Sequence, residues 1–379
     1  MTETPVAVAA SSALKLRRVG AWHGIRVLAW DGDVLYGCRG YQIVRLRVGD
    51  DAHWETVARF RPAWWRNLTS RCALSYRLVR DGFHALAIPS DQTNNDQTLD
   101  GQTNGQTMVG AVPGALVTRT PDTDEFHVTH QVQRGKRPLH VTAVPSGSIY
   151  WGEYFDNRER AEVHIYVSTD RGCTWQIAYT FPAGSIRHVH NIVYDRWGDC
   201  LWILTGDEGA ECKVLRASSD LRSVEVVLAG NQQARAVAAI PTREGLYLST
   251  DTPFEKNHVY RLDRAGNVEQ VGDLASSSIF GCRVSCRVGE AIFFSTMIEP
   301  SAVNTSREVH LVGTRVGFRD GANWQVLARW KKDNLPMRYF QYGNAFLPDG
   351  DNSTNYLAAT TIAVEPDDLV TTLWEVESS

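Results

Sequence analysis

The chain has 379 residues, a formal net charge of -4 and a pI near 6.3, and no stretch is dense in Lys and Arg. We therefore expect no nucleic-acid partner, because such partners are held by clustered positive charge. Hydrophobic residues make up 43%, typical of a globular protein with a core, but no apolar run reaches 18 residues, so no membrane-spanning helix is predicted.

Short strands are predicted along the whole chain, and helical periodicity is almost absent. Runs rich in Val, Ile, Leu, Tyr and Trp recur between Gly, Asp and Asn, which is typical of strands bounded by turns. In chain order these runs cover residues 34–37, 148–152, 163–168, 200–205, 245–250 and 291–295.

These strands group into a larger repeat. An apolar strand, a turn, a second strand with a central aromatic residue and two further strands recur at the spacing of a four-stranded propeller blade, about 40 to 50 residues. The sequence therefore predicts an all-β fold, one β-propeller domain over residues 1–379. Six blades would follow if the second unit is misassigned, but we count seven, over 20–62, 66–133, 137–183, 185–230, 233–274, 277–331 and 337–376.

Two segments stand outside this repeat. Residues 14–19 precede the first unit, and we expect them to add the outer strand of the last blade and close the ring. Residues 91–107 read DQTNNDQTLDGQTNGQT and interrupt the second unit. This segment has no apolar area to bury, so we expect a flexible polar surface insertion, either neutral or acting as a lid.

One eight-residue motif lies between two predicted strands of the third unit. Residues 168–175 read STDRGCTW and match the pattern S-x-D-x-G-x-T-W at every defined position. Ser and Asp side chains can accept backbone N–H groups in a tight hairpin, and Gly172 can supply a positive φ. The motif resembles the Asp-box of the BNR repeat, sialidase-like propellers. That resemblance implies a structural turn on the outside of the propeller, away from any active site.

Positively charged residues recur near the starts of the predicted inner strands. If the Arg side chains converge, their guanidinium groups suit a carboxylate or sulfate, and hence an acidic glycan. The alternative is that each Arg pairs with a carboxylate of its own blade or faces solvent. The second unit offers Arg71 and Arg77, and the candidate substrate-binding residues are Arg137, His140, Arg187, Arg235, Arg283 and Arg338.

Candidate catalytic residues lie at the edge shared by the third and fourth units. His188 and His190 are two apart on one strand and project to the same face. Glu153, Tyr154 and Asp207 follow the second strands of their units, where Glu208 and Asp251 also lie. Paired carboxylates suit glycoside hydrolysis, whereas a His or Tyr base beside an Arg suits a polysaccharide lyase.

We expect no cofactor and no metal site. The His-x-His pair with Glu or Asp would hold a divalent metal only as a further alternative, since spacing marks no third ligand. The adjacent Trp64 and Trp65 are candidates for sugar stacking, because neighbours on a strand cannot both face the core. The seven Cys are odd in number and scattered, and no secretion signal precedes them, so we expect reduced thiols and a cytoplasmic protein.

Two functions follow from these residues. The first is a carbohydrate-active enzyme, a glycosidase or lyase acting on an acidic oligosaccharide or polysaccharide. The second is a non-catalytic propeller that binds glycans or serves assembly in polysaccharide metabolism. Convergent carboxylates or imidazoles at the channel mouth would favour catalysis, and an apolar surface on that face would favour protein interaction.

Overall fold

The computed structural model describes residues 13–49, 53–70, 72–89, 106–286, 289–316 and 323–378. The first strands are β1 (Leu14–His23), β2 (Arg26–Gly32), β3 (Val34–Arg39), β4 (Gln42–Arg47), β5 (Glu55–Phe60), β6 (Ala85–Ala87), β7 (Met108–Val112), β8 (Ala115–Arg119) and β9 (Glu125–Gln131). The central part of the chain forms β10 (Thr142–Ala143), β11 (Ile149–Gly152), β12 (Val163–Ser168), β13 (Gln176–Phe181), β14 (Val189–Asp195), β15 (Cys200–Thr205), β16 (Lys213–Ser218), β17 (Val224–Ala229), β18 (Ala236–Thr242), β19 (Gly245–Thr250), β20 (Asn257–Asp263) and β21 (Val268–Leu274).

The last strands are β22 (Ser278–Cys286), β23 (Gly289–Thr296), β24 (Glu308–Arg315), β25 (Gln325–Lys332), β26 (Asn344–Phe346), β27 (Asp349–Asn352), β28 (Tyr356–Ile362), β29 (Val364–Glu365) and β30 (Val370–Ser378). Within the described residues, three α-helices accompany them, α1 (Trp64–Thr69), α2 (Ala73–Val79) and α3 (Met337–Phe340), together with short 3₁₀ helices at Gly209–Glu211 and Gln232–Ala234. None of the helices in the described ranges has the length and apolar content needed to cross a membrane.

The strands form seven antiparallel four-stranded blades, which confirms the predicted fold and blade count. The blades are β2–β5, β6–β9, β10–β13, β14–β17, β18–β21, β22–β25 and the set β26, β28, β30 and β1. The strand β1 pairs with β30 from Leu14 to His23, so the N-terminal strand closes the ring as predicted. This closure removes the hydrogen-bonding edge that an open ring would expose.

The core lies between neighbouring blades. All six residues of β15 are buried, because the blade is covered on both faces, whereas β17 at the outer edge has no fully buried residue. One apolar cluster joins Tyr150 and Ile165 of the third blade to Leu201 and Leu215 of the fourth. In the sequence, the second strand of each blade is therefore a continuous run of apolar residues, whereas the outer strand contains both apolar and polar residues.

The direction of the strands defines two faces. The upper face carries the connections between blades and those between the second and third strands of a blade. The lower face carries the remaining turns, including residues 168–175. In that turn the N–H of Gly172 donates to Oγ of Ser168 at 2.7 Å, and Oδ1 of Asp170 accepts from the N–H of Thr174 at 2.8 Å. Gly172 has φ of +88°, so the motif forms the tight structural turn that its residues predict.

The start of the second blade differs from the prediction. Residues 66–69 lie in α1 and residues 73–79 form α2, and the first strand of the blade begins only at Ala85. Trp64 and Leu68, like Leu74 and Leu78, are four residues apart, a spacing that places two side chains on the same face of a helix. Arg71 and residues 91–105 of the predicted insertion lie outside the described residues. Gln106 is described, and its side chain donates to Oδ2 of Asp31 at 3.0 Å.

Candidate functional site

Two buried imidazoles lie at the upper end of β14. Nδ1 of His188 is 3.0 Å from the carbonyl oxygen of Phe155, and Nδ1 of His190 is 2.9 Å from that of Ala236. Because a carbonyl oxygen only accepts, both Nδ1 atoms carry hydrogen. The two Nε2 atoms face each other at 3.1 Å. Burial, and then the neighbouring His190, lower the pKa of His188 to about 4, so this imidazole is neutral at pH 7.

Asp207 completes this group from the loop that follows β15. Its Oδ2 is 3.5 Å from Nε2 of His188, and its Oδ1 is 3.4 Å from Nε2 of His190. On the other side, Arg187 and Arg235 approach the same carboxylate at 3.0 and 3.2 Å. Burial favours the neutral acid, but the hydrogen bond with His190 and the surrounding positive charges outweigh burial and lower the pKa of Asp207 to about 2.

Tyr154 and Asp251 border the same group. The ring centroid of Tyr154 is 4.2 Å from that of His188, and burial, followed by the charge of Asp207, raises the pKa of Tyr154 to about 12. Asp251 is 7% exposed, and its Oδ2 is 3.7 Å from Arg235. The other oxygen of Asp251 is buried without a hydrogen-bond partner among the described residues. Burial raises the pKa of Asp251.

Glu153 does not join this group. Its side chain is 1% exposed and forms two hydrogen bonds with Arg134, one of them from Nε to Oε1 at 2.9 Å. The backbone N–H of His164 donates to the same carboxylate at 2.8 Å. Glu208 lies on the surface, with 64% of its side chain exposed. The sequence therefore places Glu153, Asp207 and Glu208 near one rim, but tertiary contacts keep Glu153 fully engaged elsewhere.

The arginines near the inner-strand starts do not converge into a ring. Arg187 and Arg235 meet at Asp207, whereas Arg137 donates to the carbonyl oxygen of Val79 at 3.0 Å. Arg338 is exposed on α3. The sequence spacing that suggested a ring does not show how far along its strand each arginine lies, and therefore does not show whether the side chains meet.

Two further candidates occupy different depths of the propeller. Arg283 lies toward the lower face, where it is 2.9 Å from Oδ1 of Asp351 and packs over the ring of Trp197. Nδ1 of His140 is 3.2 Å from Oδ2 of Asp349, and His140 shares a cavity of about 10 Å³ with His190. Of the eleven candidate site residues, the structure thus brings together Tyr154, Arg187, His188, His190, Asp207 and Arg235.

A second feature of the upper face is the surface that we call the helical shelf, which consists of α1, α2 and α3. Helix α2 buries Tyr76 and Arg77 and exposes Leu74 and Leu78, the reverse of an ordinary amphipathic surface helix. The exposed large apolar side chains of the shelf are those of Trp64, Trp65, Leu68, Leu74, Leu78 and Tyr339. Helical spacing of these residues was the signal in the sequence that would have predicted the shelf.

Buried polar contacts hold the shelf in place. The guanidinium group of Arg77 is 2% exposed and binds Asp333, Asp368 and the carbonyl oxygen of Phe340. Asp81, which is 1% exposed, accepts hydrogen bonds from Tyr41 at 2.9 Å and Thr69 at 2.6 Å. The apolar side chains therefore point outward from helices that are anchored on their inner side.

The comparisons with known proteins concern the fold. No family model matches the sequence, and no curated protein matches it. Among solved structures, the WD40 β-propeller domain of Doa1 is similar at a TM-score of 0.56 and 9% identity, covering 96% of this chain and 97% of that one. The fold is a β-propeller. Virginiamycin B lyase from Staphylococcus aureus has a TM-score of 0.56 at 11% identity, covering 96% and 99% of the two chains.

A third similar structure is the β-propeller domain of Cps50 (Swd1) from Myceliophteria thermophila. It has a TM-score of 0.54 and 10% identity, and covers 96% of this chain and 100% of that one. These similarities support a propeller but not the sialidase-like family that the motif at 168–175 resembles. The motif forms its turn because of local hydrogen bonds, and such a turn does not require common ancestry.

Proposed function

We propose that this protein is a non-catalytic assembly propeller that docks another protein on its helical shelf. The observation that carries the proposal is the group of outward-facing apolar side chains on α1, α2 and α3. Large contiguous apolar patches are uncommon on monomers and mark interaction surfaces. Trp, Tyr and Leu here supply much area with few rotatable bonds, and Trp and Tyr are enriched among the residues that dominate binding energy.

The charges at the edge of the shelf indicate the chemistry of the partner. Arg80 caps the C-terminal end of α2, and the exposed Arg338 packs over the ring of Tyr339 with 5.6 Å to the centroid. Arg66 of α1 is instead paired with Asp81 at 3.2 Å. A positive rim around an apolar centre is complementary to a protein surface with apolar anchors and acidic residues around them. We therefore assign the partner as an acidic-rimmed protein surface.

The carboxylates of the upper face favour binding over glycoside hydrolysis. Hydrolysis needs two carboxyl groups on opposite sides of one bond. Glu153 is held by Arg134 and a backbone N–H, and Asp207 is held by two arginines. Asp207, whose pKa is lowered, stays ionised at pH 7 and has no proton to give a leaving group.

Photo-crosslinking tests the docking proposal. We would place p-benzoylphenylalanine at Trp65 on the shelf and, as a matched control, at Ile177, which is 51% exposed on the outer strand β13. The expected result in cell extract is one adduct of defined mass from position 65 and none from position 177. Leu74→Ser in the same chain should remove the adduct, because it removes apolar area at the centre of the shelf.

Three outcomes would overturn the docking proposal. Equal adducts at both positions would show unselective capture, and an adduct of twice the chain mass would assign the shelf to a second copy. Flotation of the purified protein with anionic lipid vesicles, lost in Leu74→Ser and unaccompanied by a protein adduct, would assign the shelf to a membrane surface.

An acidic carbohydrate is the second candidate ligand, and the pair Arg187 and Arg235 beside two imidazoles favours it. Two guanidinium groups at one mouth suit a uronate or sulfate group. A screen of acidic polysaccharides, reading ultraviolet absorbance and reducing ends together, tests this reading. Product formation that is lost in His188→Ala would make the protein an enzyme and would refute the non-catalytic proposal.

A further inference from the structure

The geometry points to a divalent transition-metal site formed by His188, His190 and Asp207 on the upper face of the propeller. His190 lies on β14, His188 immediately precedes that strand, and Asp207 lies in the loop after β15, so one blade supplies every ligand. One ligand atom from each residue lies within 4.8 Å of the other two. This site is independent of the helical shelf and goes beyond the proposed docking function.

The hydrogen bonds of the two imidazoles direct both Nε2 atoms toward the centre. Both Nδ1 atoms donate to backbone carbonyls, so Nε2 of either ring, when that ring is neutral, carries a lone pair and no hydrogen. The two Nε2 atoms are nevertheless 3.1 Å apart, and each also faces an oxygen of Asp207 at 3.4 or 3.5 Å. Acceptors converge in this way when a cation lies between them.

The separations fit a small ion. Zn²⁺ binds nitrogen and carboxylate oxygen at about 2.0–2.2 Å, and the edge of a tetrahedron with such bonds is about 3.3–3.6 Å. The distances of 3.4 and 3.5 Å, each to a different oxygen of Asp207, lie within this range, and the 3.1 Å between the two Nε2 atoms is slightly shorter. Two imidazoles and one carboxylate suit Zn²⁺ and other first-row ions, and are a poor set for Mg²⁺ or Ca²⁺, which prefer oxygen.

The surroundings supply an outer shell. The carbonyl oxygens of Phe155 and Ala236 fix the orientation and tautomer of the two imidazoles, as outer groups do in metal sites. Three protein ligands leave a tetrahedral ion with one open position. Near Arg235, the buried Oδ1 atom of Asp251 has no hydrogen-bond partner among the described residues and can accept a hydrogen bond from water.

Two neighbouring arginines lower the affinity of this site for a metal ion. Arg187 and Arg235 contact Asp207 at 3.0 and 3.2 Å, and repel a bound ion. Asp156 and Asp251 lie against these two arginines and offset part of their charge. A proton is the alternative occupant of the space between the imidazoles, and it would make one ring an imidazolium. The experiment must distinguish a bound metal ion from a bound proton.

Cobalt substitution of the chelator-treated protein is the test. We expect one equivalent of Co²⁺, with the intense visible absorption of a tetrahedral site, to bind wild type and to be displaced by Zn²⁺. His188→Asn and His190→Asn should each weaken binding at least ~100-fold, because outer-shell changes alone cost about 10- to 100-fold. The control His258→Asn alters a histidine on β20 that pairs with Asp273, and should bind as wild type does.

Two readouts keep the test decisive if a histidine variant fails to fold. Zn²⁺ should raise the Tm of the wild type, since a ligand that binds only the folded state stabilises it. The site is refuted if wild type binds no more Co²⁺ than the double His variant, or if the bound Co²⁺ shows thiolate absorption from Cys72 or Cys173, the two exposed thiols. Leu74→Ser should keep full metal binding, so failure of docking and failure of the metal site are distinguishable.

Discussion

Arg77 anchors the helical shelf, and its replacement gives a prediction that can be worked through from the structure. In Arg77→Met the side chain keeps an unbranched, flexible stem but becomes shorter and loses its charge and its hydrogen-bond donors. Asp368, at 3.1 Å, and the carbonyl oxygen of Phe340, at 3.0 Å, lose their donor, as does Asp333. The apolar replacement fills the space but leaves two carboxylates without their shared cation.

The expected loss of stability is about 3 kcal/mol. Removing one partner of a buried ion pair costs about 3–5 kcal/mol. The lower end applies, because Asp333 keeps its contact with Lys332 and Asp368 is 30% exposed. At about 2.1 cal/mol/K of unfolding entropy per residue, 379 residues give about 0.8 kcal/mol/K, so the Tm should fall by about 4 °C.

The effect should depend on pH. Burial raises the pKa of Asp333, but the hydrogen bonds from Arg77 and Lys332 outweigh burial and hold this pKa below its ordinary value. A carboxyl group with a lowered folded pKa stabilises the fold above its unfolded pKa, and this stabilisation is lost as pH falls through the folded value. The difference in stability between wild type and Arg77→Met should therefore narrow from pH 7 toward about pH 3.

Scanning calorimetry at several pH values measures both effects. Arg61→Met is the matched control, because Arg61 forms an exposed pair with Glu125 and should leave the Tm nearly unchanged. If Arg77→Met changes the Tm no more than Arg61→Met does, the guanidinium group does not anchor α2. A difference that stays constant down to about pH 3 would refute the assignment to Asp333.

Two further stability predictions concern the lower face and the body of the fourth blade. Ser168→Ala leaves the buried N–H of Gly172 without its acceptor, so it should cost about 1–3 kcal/mol, and Ser146→Ala should cost nothing detectable by thermal melting. Burial raises the pKa of Asp195, but the hydrogen bonds from Arg264 and Trp202 outweigh it and lower that pKa. Asp195→Asn should therefore be less stable than wild type at pH 7 and converge with it below about pH 4, and parallel pH profiles would contradict this account.

The sequence determined the propeller through patterns that depend on near neighbours. Strand alternation, turn residues and the repeat length predicted seven blades, and the units at 137–183, 185–230 and 233–274 agree with the blades that the structure has. The closing strand predicted over residues 14–19 is present and extends to His23. These features follow from local periodicity, which one sequence displays directly.

Only the tertiary structure decided which polar side chains meet. His188 and His190 were marked by their spacing, but their meeting with Asp207 depends on the curvature of the loop after β15. Glu153 looked equivalent to Asp207 along the chain, and Arg134, nineteen residues away in sequence, engages it instead. Side-chain pairing depends on distances between strands and loops that are far apart in the sequence. The two-residue period of a strand determines the face of the sheet on which a side chain lies, but it does not determine the position of that residue along the propeller axis or the residue that it contacts.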